Sequence, residues 1–516
     1  MMVTKLSIIL FLFCLPAMAQ TNRASVWVMG QEGLQVKFGS QIITKSPLFP
    51  QSYFKQGNSN ICDTAGNLLL FSDGFNIYNS AGNYLDGGDT LVPKAHFLAK
   101  SGWSLYSQTS IFLPMSNNKY YFITPAFSDS QYNECNLNNS CYFDLLLYNV
   151  IDMNANAGAG KVVKRMVPLM QNAQLRKTQM MACRHANGLD WWLLKQDGGD
   201  SNVVHTFLFT QDSVYDKGIQ KFNTPVFGKW DLKGQSAFSI DGTLYATGTQ
   251  GPYTGEFFLA DFNRCQGTLS NGRSLFAPLL PADSPTHNFT DVVLSGICFS
   301  PNKQFIYVTF QYNIFQYDRL DSTWYHVANL DTTYQAFQAY TTAYLANDNK
   351  IYIGNFGGLS KQMSRIDNPD IKGVGCNFCA RCLRFDSLGA FANAGTPPCM
   401  PNYALGKDTS MCWPLSNVQL AISPNREQLK VYPNPANSIL YLQTTSKQKR
   451  ELYNYTGQLL FTTTENKIDV SKYPRGLYFV KCGAEVIKVL LEFSKILCLD
   501  LINLREKISI LDHVKQ

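Results

Sequence analysis

The sequence predicts an all-β chain, and three observations carry that prediction. Phe and Tyr, at 34 and 27 residues, lift the aromatic share to 13%, while charged residues make up only 16% of the 516. Globular chains commonly hold about a quarter charged residues, so this one is charge-poor and rich in side chains that favour pleated surfaces. Gly and Pro, 36 and 22 residues, punctuate it throughout. Finally, one phrase returns along the chain: an apolar strand, a tip of Asn, Asp, Gly or Lys, and a second apolar strand. The length allows two to four domains, and 45% hydrophobic residues are enough for a large core.

The N-terminus comes first. Lys5 precedes an apolar run over 6–15, and Ala17-Met18-Ala19 is a small-residue cleavage site ahead of Gln20. This is the pattern of a cleaved secretory signal over 1–19, with the cut between Ala19 and Gln20. The run is too short for a membrane span. Cys14 follows Phe13, which argues against a lipoprotein signal. No later segment supplies the run of about 18 apolar residues that a transmembrane helix needs.

The repeated phrase occupies 60–71, 112–122, 183–192, 237–246, 298–308 and 343–353. A tight hairpin tip needs positive φ, which Asn, Asp and Gly tolerate, so Gly66-Asn67, Asn117-Asn118, Asn187-Gly188, Asp241-Gly242, Asn302-Lys303 and Asp348-Asn349 mark the turns. Copies recur roughly every 45 to 70 residues, the spacing of four-stranded propeller blades stretched by loop insertions. Second hairpins are expected at 142–151, 203–209, 257–262 and 312–317. Six copies are clear, and a further blade is expected from 26–29 and 36–38 closing against residues after Gly357. The fold class is therefore a β-propeller of about six or seven blades. A solenoid or a string of small sandwiches is the alternative, disfavoured because the unit recurs without a linker.

Catalytic signatures are absent from the sequence: it has no Gly-x-Ser-x-Gly, no phosphate loop, no His-Glu-x-x-His and no dinucleotide fingerprint. His96, His185, His205, His287 and His326 lie far apart. His185, beside Asn187-Gly188, reads as a turn-fixing residue more readily than as a metal ligand. Asp86-Gly87-Gly88-Asp89 and Asp197-Gly198-Gly199-Asp200 leave room for calcium, but neither has EF-hand spacing and both read more readily as solvated turns, so no cofactor is predicted. Aromatic residues could stack on sugars, but packing between blade sheets is the simpler use. The net charge of +7 is dispersed apart from Lys447-Gln448-Lys449-Arg450, which argues against nucleic acid as a partner.

There are 14 cysteines. Cys376, Cys379, Cys382, Cys399 and Cys412 cluster late, and Cys-x-x-Cys-x-x-Cys spacing would suit zinc or an iron–sulfur cluster. Export into an oxidising compartment favours disulfides instead. Cys135 and Cys141 look like partners closing a small loop.

The last element opens with Tyr432-Pro433-Asn434-Pro435, continues through Tyr455-Thr456-Gly457 at an expected hairpin tip, and closes with Gly476-Leu477-Tyr478-Phe479-Val480 in an alternating strand. The Pro-Asn-Pro run is expected to enter the first strand. This ordered series resembles the C-terminal sorting domain of type IX secretion substrates of Bacteroidota. The resemblance implies a small Ig-like β-sandwich and handling by an outer-membrane shuttle and a sortase. It also implies a product that is secreted or held at the outer cell surface by way of the periplasm. Between the ends, 296–302, 66–74 and Met400-Pro401-Asn402-Tyr403 resemble WD-repeat-like propellers of secreted Bacteroidota proteins.

The expected organisation is thus a signal over 1–19, a propeller over 24–405, a linker with a cysteine-rich end over 406–428, the sorting domain over 429–492, and an atypical extension over 493–516. The extension could form a helix, or could be read-through without selected structure. The function expected is a secreted or surface binding module for an extracellular protein or glycan. The alternative is an extracellular hydrolase or lyase acting on polysaccharide, peptide or lactone. The lining of the central channel discriminates between them: converging Asp, Glu, His or Asn with a metal for the enzyme, uncharged side chains for the binder.

Overall fold

The structure is a computed structural model that describes residues 22–30, 34–38, 42–45, 54, 56–99, 104, 106–135, 141–199, 203–222, 234–249, 255–278, 294–310, 312–330, 339–356, 361–385, 397–408, 412, 429–443, 449–455, 457–483 and 485–492. The expected signal with its Ala19 and Gln20 junction, nearly all of the linker beyond Cys412, and the extension 493–516 lie outside these residues. The chain divides after Cys412 into two compact units.

The first unit is built from seven antiparallel sheets, each made of strands consecutive in sequence. Among the described residues the first two sheets have three strands and the other five have four. Their first strands are Val26–Met29, Ser59–Cys62, Ile111–Pro114, Leu175–Arg184, Gly234–Phe238, Leu294–Phe299 and Ala339–Leu345. The first strands of sheets one to three touch in succession, as do those of sheets four to seven, and they form the inner wall. Burial falls outward from there. Every residue of Leu175–Arg184 is buried, whereas the last strand of that sheet, Val214–Lys221, is mostly exposed. Meander sheets radiating from a ring of buried first strands are the β-propeller architecture.

The repeated phrase proves to be the inner hairpin of sheets two to seven. Gly66, Asn117 and Asn118, Gly188, Gly242, Lys303 and Asn349 all take positive φ at its tip. The Asx residue does the same work from blade to blade. Oδ1 of Asp63, Asn187, Asp241, Asn302 and Asp348 each accepts the N–H two residues on, at 2.9 to 3.2 Å. A side chain that closes the turn onto its own backbone fixes where the strand reverses.

Closure departs from the expectation. The strands after Gly357, Gln362–Ile366 and Phe378–Arg384, pair within the seventh sheet, and among the described residues the strands of the first sheet pair with one another. Aromatic packing joins the two: Trp27 lies edge-on to Tyr344 and Tyr352 at 6.5 and 5.7 Å, and Phe38 lies 5.0 Å from Tyr352. Such pairs contribute about 0.5–1.5 kcal/mol each beyond the area they bury.

The late cysteines also differ from expectation. Cys412 is bonded to Cys265 of the fifth sheet, with Cα atoms 5.5 Å apart. Cys376, Cys379, Cys382 and Cys399 are free thiols, with Cys376 and Cys399 buried in different clusters of the core. Cys376 packs in the core of the sixth and seventh sheets. Cys379 and Cys382 sit on the outermost strand of the seventh sheet, where Cys382 Sγ donates to the Cys379 carbonyl at 3.4 Å. Cys141 is disulfide-bonded, and the side chain of Cys135 lies outside the described residues.

The second unit is a small two-sheet sandwich. One sheet pairs Lys430–Tyr432, Ile439–Gln443 and Lys467–Asp469; the other orders Leu459–Thr463, Arg450–Asn454, Gly476–Cys482 and Glu485–Leu491. Strict alternation along Ile439–Gln443 turns Leu440 and Leu442 into a core shared with Leu452, Ile468, Val480 and Val489. The Pro-Asn-Pro run does not enter the first strand as expected. It follows Lys430–Tyr432, since the ladder ends at Tyr432 and proline has no N–H to extend it. Gly457 does cap the hairpin, its N–H donating to Asn454 O at 3.0 Å with φ of +84°.

Candidate functional site

Residues 397–408 form a strap that ties the inner hairpins together. The Cys399 N–H donates to Asn58 O of the second sheet at 2.8 Å, and the Tyr403 hydroxyl donates to Phe112 O of the third at 2.9 Å. Asn402 Nδ2 donates to Ile240 O of the fifth at 2.7 Å, and the Asp408 N–H to Ala186 O of the fourth at 2.8 Å. Arg264 gathers three segments: Nε donates to Arg184 O at 3.0 Å, Nη1 to Asp241 O at 3.4 Å and Nη2 to Gly406 O at 2.6 Å. Its donors are spread in a fixed fork, which suits it to carbonyls arriving from different directions. The Cys265–Cys412 bond completes the tie.

Above the strap lies a cavity of about 710 Å³. Its walls come from the inner strands: Cys183 of the fourth sheet, Ala237 of the fifth, Cys298 of the sixth and Tyr344 of the seventh near the ends of theirs, and Trp27 near the start of the first sheet's, with Met400 to Gly406 of the strap. Among the described lining residues there is no Asp, Glu, His, Lys or Arg. Burial pushes the wall thiols of Cys183 and Cys298 up to about 12, which favours their protonated form. The hydroxyl of Tyr344 is raised as well, chiefly by burial.

Deeper along the axis, side-chain amides stitch the strands. Gln108 Nε2 donates to Ser236 O at 2.8 Å and its Oε1 accepts the Ser236 N–H at 2.8 Å, joining third and fifth sheets. Gln235 treats Ala343 of the seventh sheet in the same way and also accepts the Ile297 N–H of the sixth at 3.2 Å. Asn60 does this for the first sheet, donating to Val26 O at 2.7 Å and accepting the Val28 N–H at 3.0 Å.

The histidines stay dispersed. His185 is a turn-fixing residue: Nε2 donates to Cys265 O and Nδ1 accepts the Asn187 N–H, both at 3.0 Å, while burial lowers its pKa. That pattern fixes a neutral ring. His96 is buried among Phe75, Phe127 and Phe143, His205 pairs with Asp197 at 2.8 Å, His326 faces Asn313, and His287 lies outside the described residues. Asp86 is met by Lys161 at 3.1 Å, and Arg165 donates to Asp89 O at 2.6 Å, so cations of the chain itself face that loop. Asp200 lies outside the described residues. No group of three or more potential metal ligands occurs among the described residues.

In the second unit the sorting residues converge on the final strand. Asn434 Nδ2 donates to Lys488 O at 2.8 Å and its Oδ1 accepts the Leu490 N–H at 2.9 Å. The Ala436 N–H donates to Leu490 O, and the Glu492 N–H to Ala436 O, each at 2.8 Å. Tyr478 closes the preceding corner, its hydroxyl donating to Pro474 O at 2.7 Å, and Gly476 starts that strand with φ of +148°. Pro433 and Pro435 flank the clamp, and Tyr432 stacks on Tyr441 at 6.0 Å with its face half exposed.

Strand order and sandwich together define a propeller protein with a C-terminal targeting unit. Residues 430–492 match the family of the secretion system C-terminal sorting domain, a tail that implies export through the type IX system. No curated protein matches the chain. Among solved structures it is similar to a 6-phosphogluconolactonase-like protein, described as putative, from Bacteroides uniformis, at 11% identity over 74% of this chain and 89% of that one, with a TM-score of 0.31. The extracellular domain of a one-component system from B. thetaiotaomicron, also described as putative, matches at 11% identity over 91% and 56%, with a TM-score of 0.34. The Swd1 β-propeller domain of Myceliophteria thermophila matches at 10% identity over 75% and 97%, with a TM-score of 0.29. Scores this low carry nothing about chemistry, and the fold stands on the chain's own strand order. No helix among the described residues is long and apolar enough to cross a membrane.

Proposed function

We propose that this chain is a type IX export substrate whose propeller works, released or at the outer surface, as a binding module with the strap-floored cavity as its ligand site. The single observation that supports binding over hydrolysis is the lining: none of the described residues there carries a carboxylate, imidazole, ammonium or guanidinium. Hydrolases and lyases need a group that moves a proton or holds a metal at the reacting bond, and the cavity thiols are held protonated by burial. The final-strand clamp by Asn434 supports recognition of the tail by the outer-membrane shuttle, followed by sortase cleavage in 413–428 and, on this reading, attachment to anionic lipopolysaccharide.

The purified full chain, assayed against glycoside, peptide and lactone substrates with and without divalent metal, is expected to turn over none of them. Turnover abolished by a cavity substitution would replace this reading with the enzyme.

A further inference from the structure

We propose that the cavity takes a small uncharged ligand whose buried part is apolar, an aromatic or branched aliphatic group; this rests on the binding-module reading. The volume of about 710 Å³ lies within the range of about 300–1,000 Å³ that holds small organic molecules. A charged ligand would surrender its hydration to walls that offer no countercharge, a penalty of several kcal/mol.

A sugar fails for a different reason. Polyols need convergent, uncommitted donors and acceptors, and Asn22, Gln235, Ser236, Ser239 and Asn402 of the wall already bond to the protein. Ser236 Oγ is shared with the Tyr245 hydroxyl at 3.0 Å and Thr247 Oγ1 at 2.9 Å, and Gln235 is spent on Ala343 and Ile297. Ser239 Oγ donates to Asp241 at 2.7 Å, and Asn22 Nδ2 to Thr64 O at 3.1 Å. Asn402 uses Nδ2 on Ile240 O and accepts the Ala404 N–H with Oδ1. Beside Ser25, Asn347 and Asn349, the wall offers hydrocarbon, aromatic and thioether surface: Phe38, Phe238, Ile240, Leu345 and Met400 line the cavity and none of them is fully buried. Met400 gives that surface an adaptable wall.

The test titrates the full chain with N-phenyl-1-naphthylamine, a neutral apolar fluorophore, and separately with maltohexaose and cellohexaose. Ala237→Trp fills the cavity, and Met400→Lys puts a charge at its edge without filling it. The expected result is a fluorescence rise on binding whose Kd weakens about tenfold in both variants, with thermal midpoints unchanged and no response to either oligosaccharide. Fluorophore binding that neither variant alters overturns the apolar ligand. Oligosaccharide binding lost in the variants, with the fluorophore indifferent to them, overturns the ligand class and leaves the binding reading standing. If neither probe class responds to either variant, both fall. Should Ala237→Trp fail to fold, Met400→Lys decides alone.

Discussion

Gln235 and Ala343, 108 residues apart, are joined like neighbours in a β-ladder: the side-chain amide donates to the Ala343 carbonyl at 2.8 Å and accepts its N–H at 2.9 Å. Both residues are buried. Replacing Gln235 with Met keeps the volume and leaves two N–H groups and one carbonyl of Ala343 and Ile297 without this partner. A loss of about 2–4 kcal/mol is expected from chemical denaturation, since each orphaned group costs about 1–3 kcal/mol. A loss below about 0.5 kcal/mol would mean that the amide stitches contribute little.

Alkylation before reduction is expected to spare Cys265 and Cys412, and to spare Cys135 with Cys141 as a second pair. Cys183, Cys298 and Cys399 should react only after unfolding, being buried thiols. Cys412→Ser is expected to cost at most about 2–5 kcal/mol and to make the strap a site of early proteolysis. An equally protected strap in the variant would show that Arg264 and Tyr403 hold it unaided.

Two carboxylates, Asp73 buried and Asp241 partly exposed, should bend stability with pH in opposite senses. Burial raises Asp73 to about 6, against hydrogen bonds from Asn76 and Tyr78. The folded chain therefore binds this proton more tightly than the unfolded chain, and stability falls as pH rises from about 4 to 6, on the order of 3 kcal/mol in all. For Asp241, burial also raises the pKa but is outweighed by Lys303, Ser239 and Thr243, which hold it at about 2. Its contribution is present above the ordinary carboxylate range and is lost as pH falls towards 2. Urea midpoints between pH 3 and 7 should show the downward slope vanish in Asp73→Asn and the acid-side loss shrink in Asp241→Asn. Parallel curves for all three proteins would refute both assignments.

Asn434→Ala removes both contacts to the final strand. Export measured as surface against periplasmic protein is expected to fall, while the propeller keeps its denaturation midpoint. Asn434→Asp, which keeps the acceptor and loses the donor, should lie between. Equal surface delivery of all three would detach the clamp from sorting.

Removing 429–516 is expected to leave a folded propeller retained in the periplasm of a type IX-competent host. Trimming 493–516 alone is expected to raise export. Export abolished by that trim would make the extension part of the signal.

The hairpins were legible because each turn is a local event: Asp241-Gly242 and Asn302-Lys303 announce themselves through positive φ and an Asx bond two residues long. The tail was legible for the same reason, apart from the Pro-Asn-Pro run, whose role depends on a strand some 54 residues later. What escaped notice joins distant segments. Nothing near Cys265 marks Cys412 as its partner, and a lone Gln in a strand looks the same whether it faces solvent or another blade. Closure between Trp27 and Tyr352 was misassigned because an aromatic contact leaves no pattern in either strand. The cavity was foreseen only as a question, to which the uncharged lining is the structure's contribution.

The Cys265–Cys412 bond has a mechanical consequence. Any pull on the chain from beyond residue 412 reaches the fifth sheet through a covalent link before it reaches the strap. The hydrogen bonds that Tyr403, Asn402 and Gly406 make would otherwise be loaded one after another and unzipped from the end. With the bond in place the tension bypasses them, and the seam under the cavity stays shut while the tail is handled.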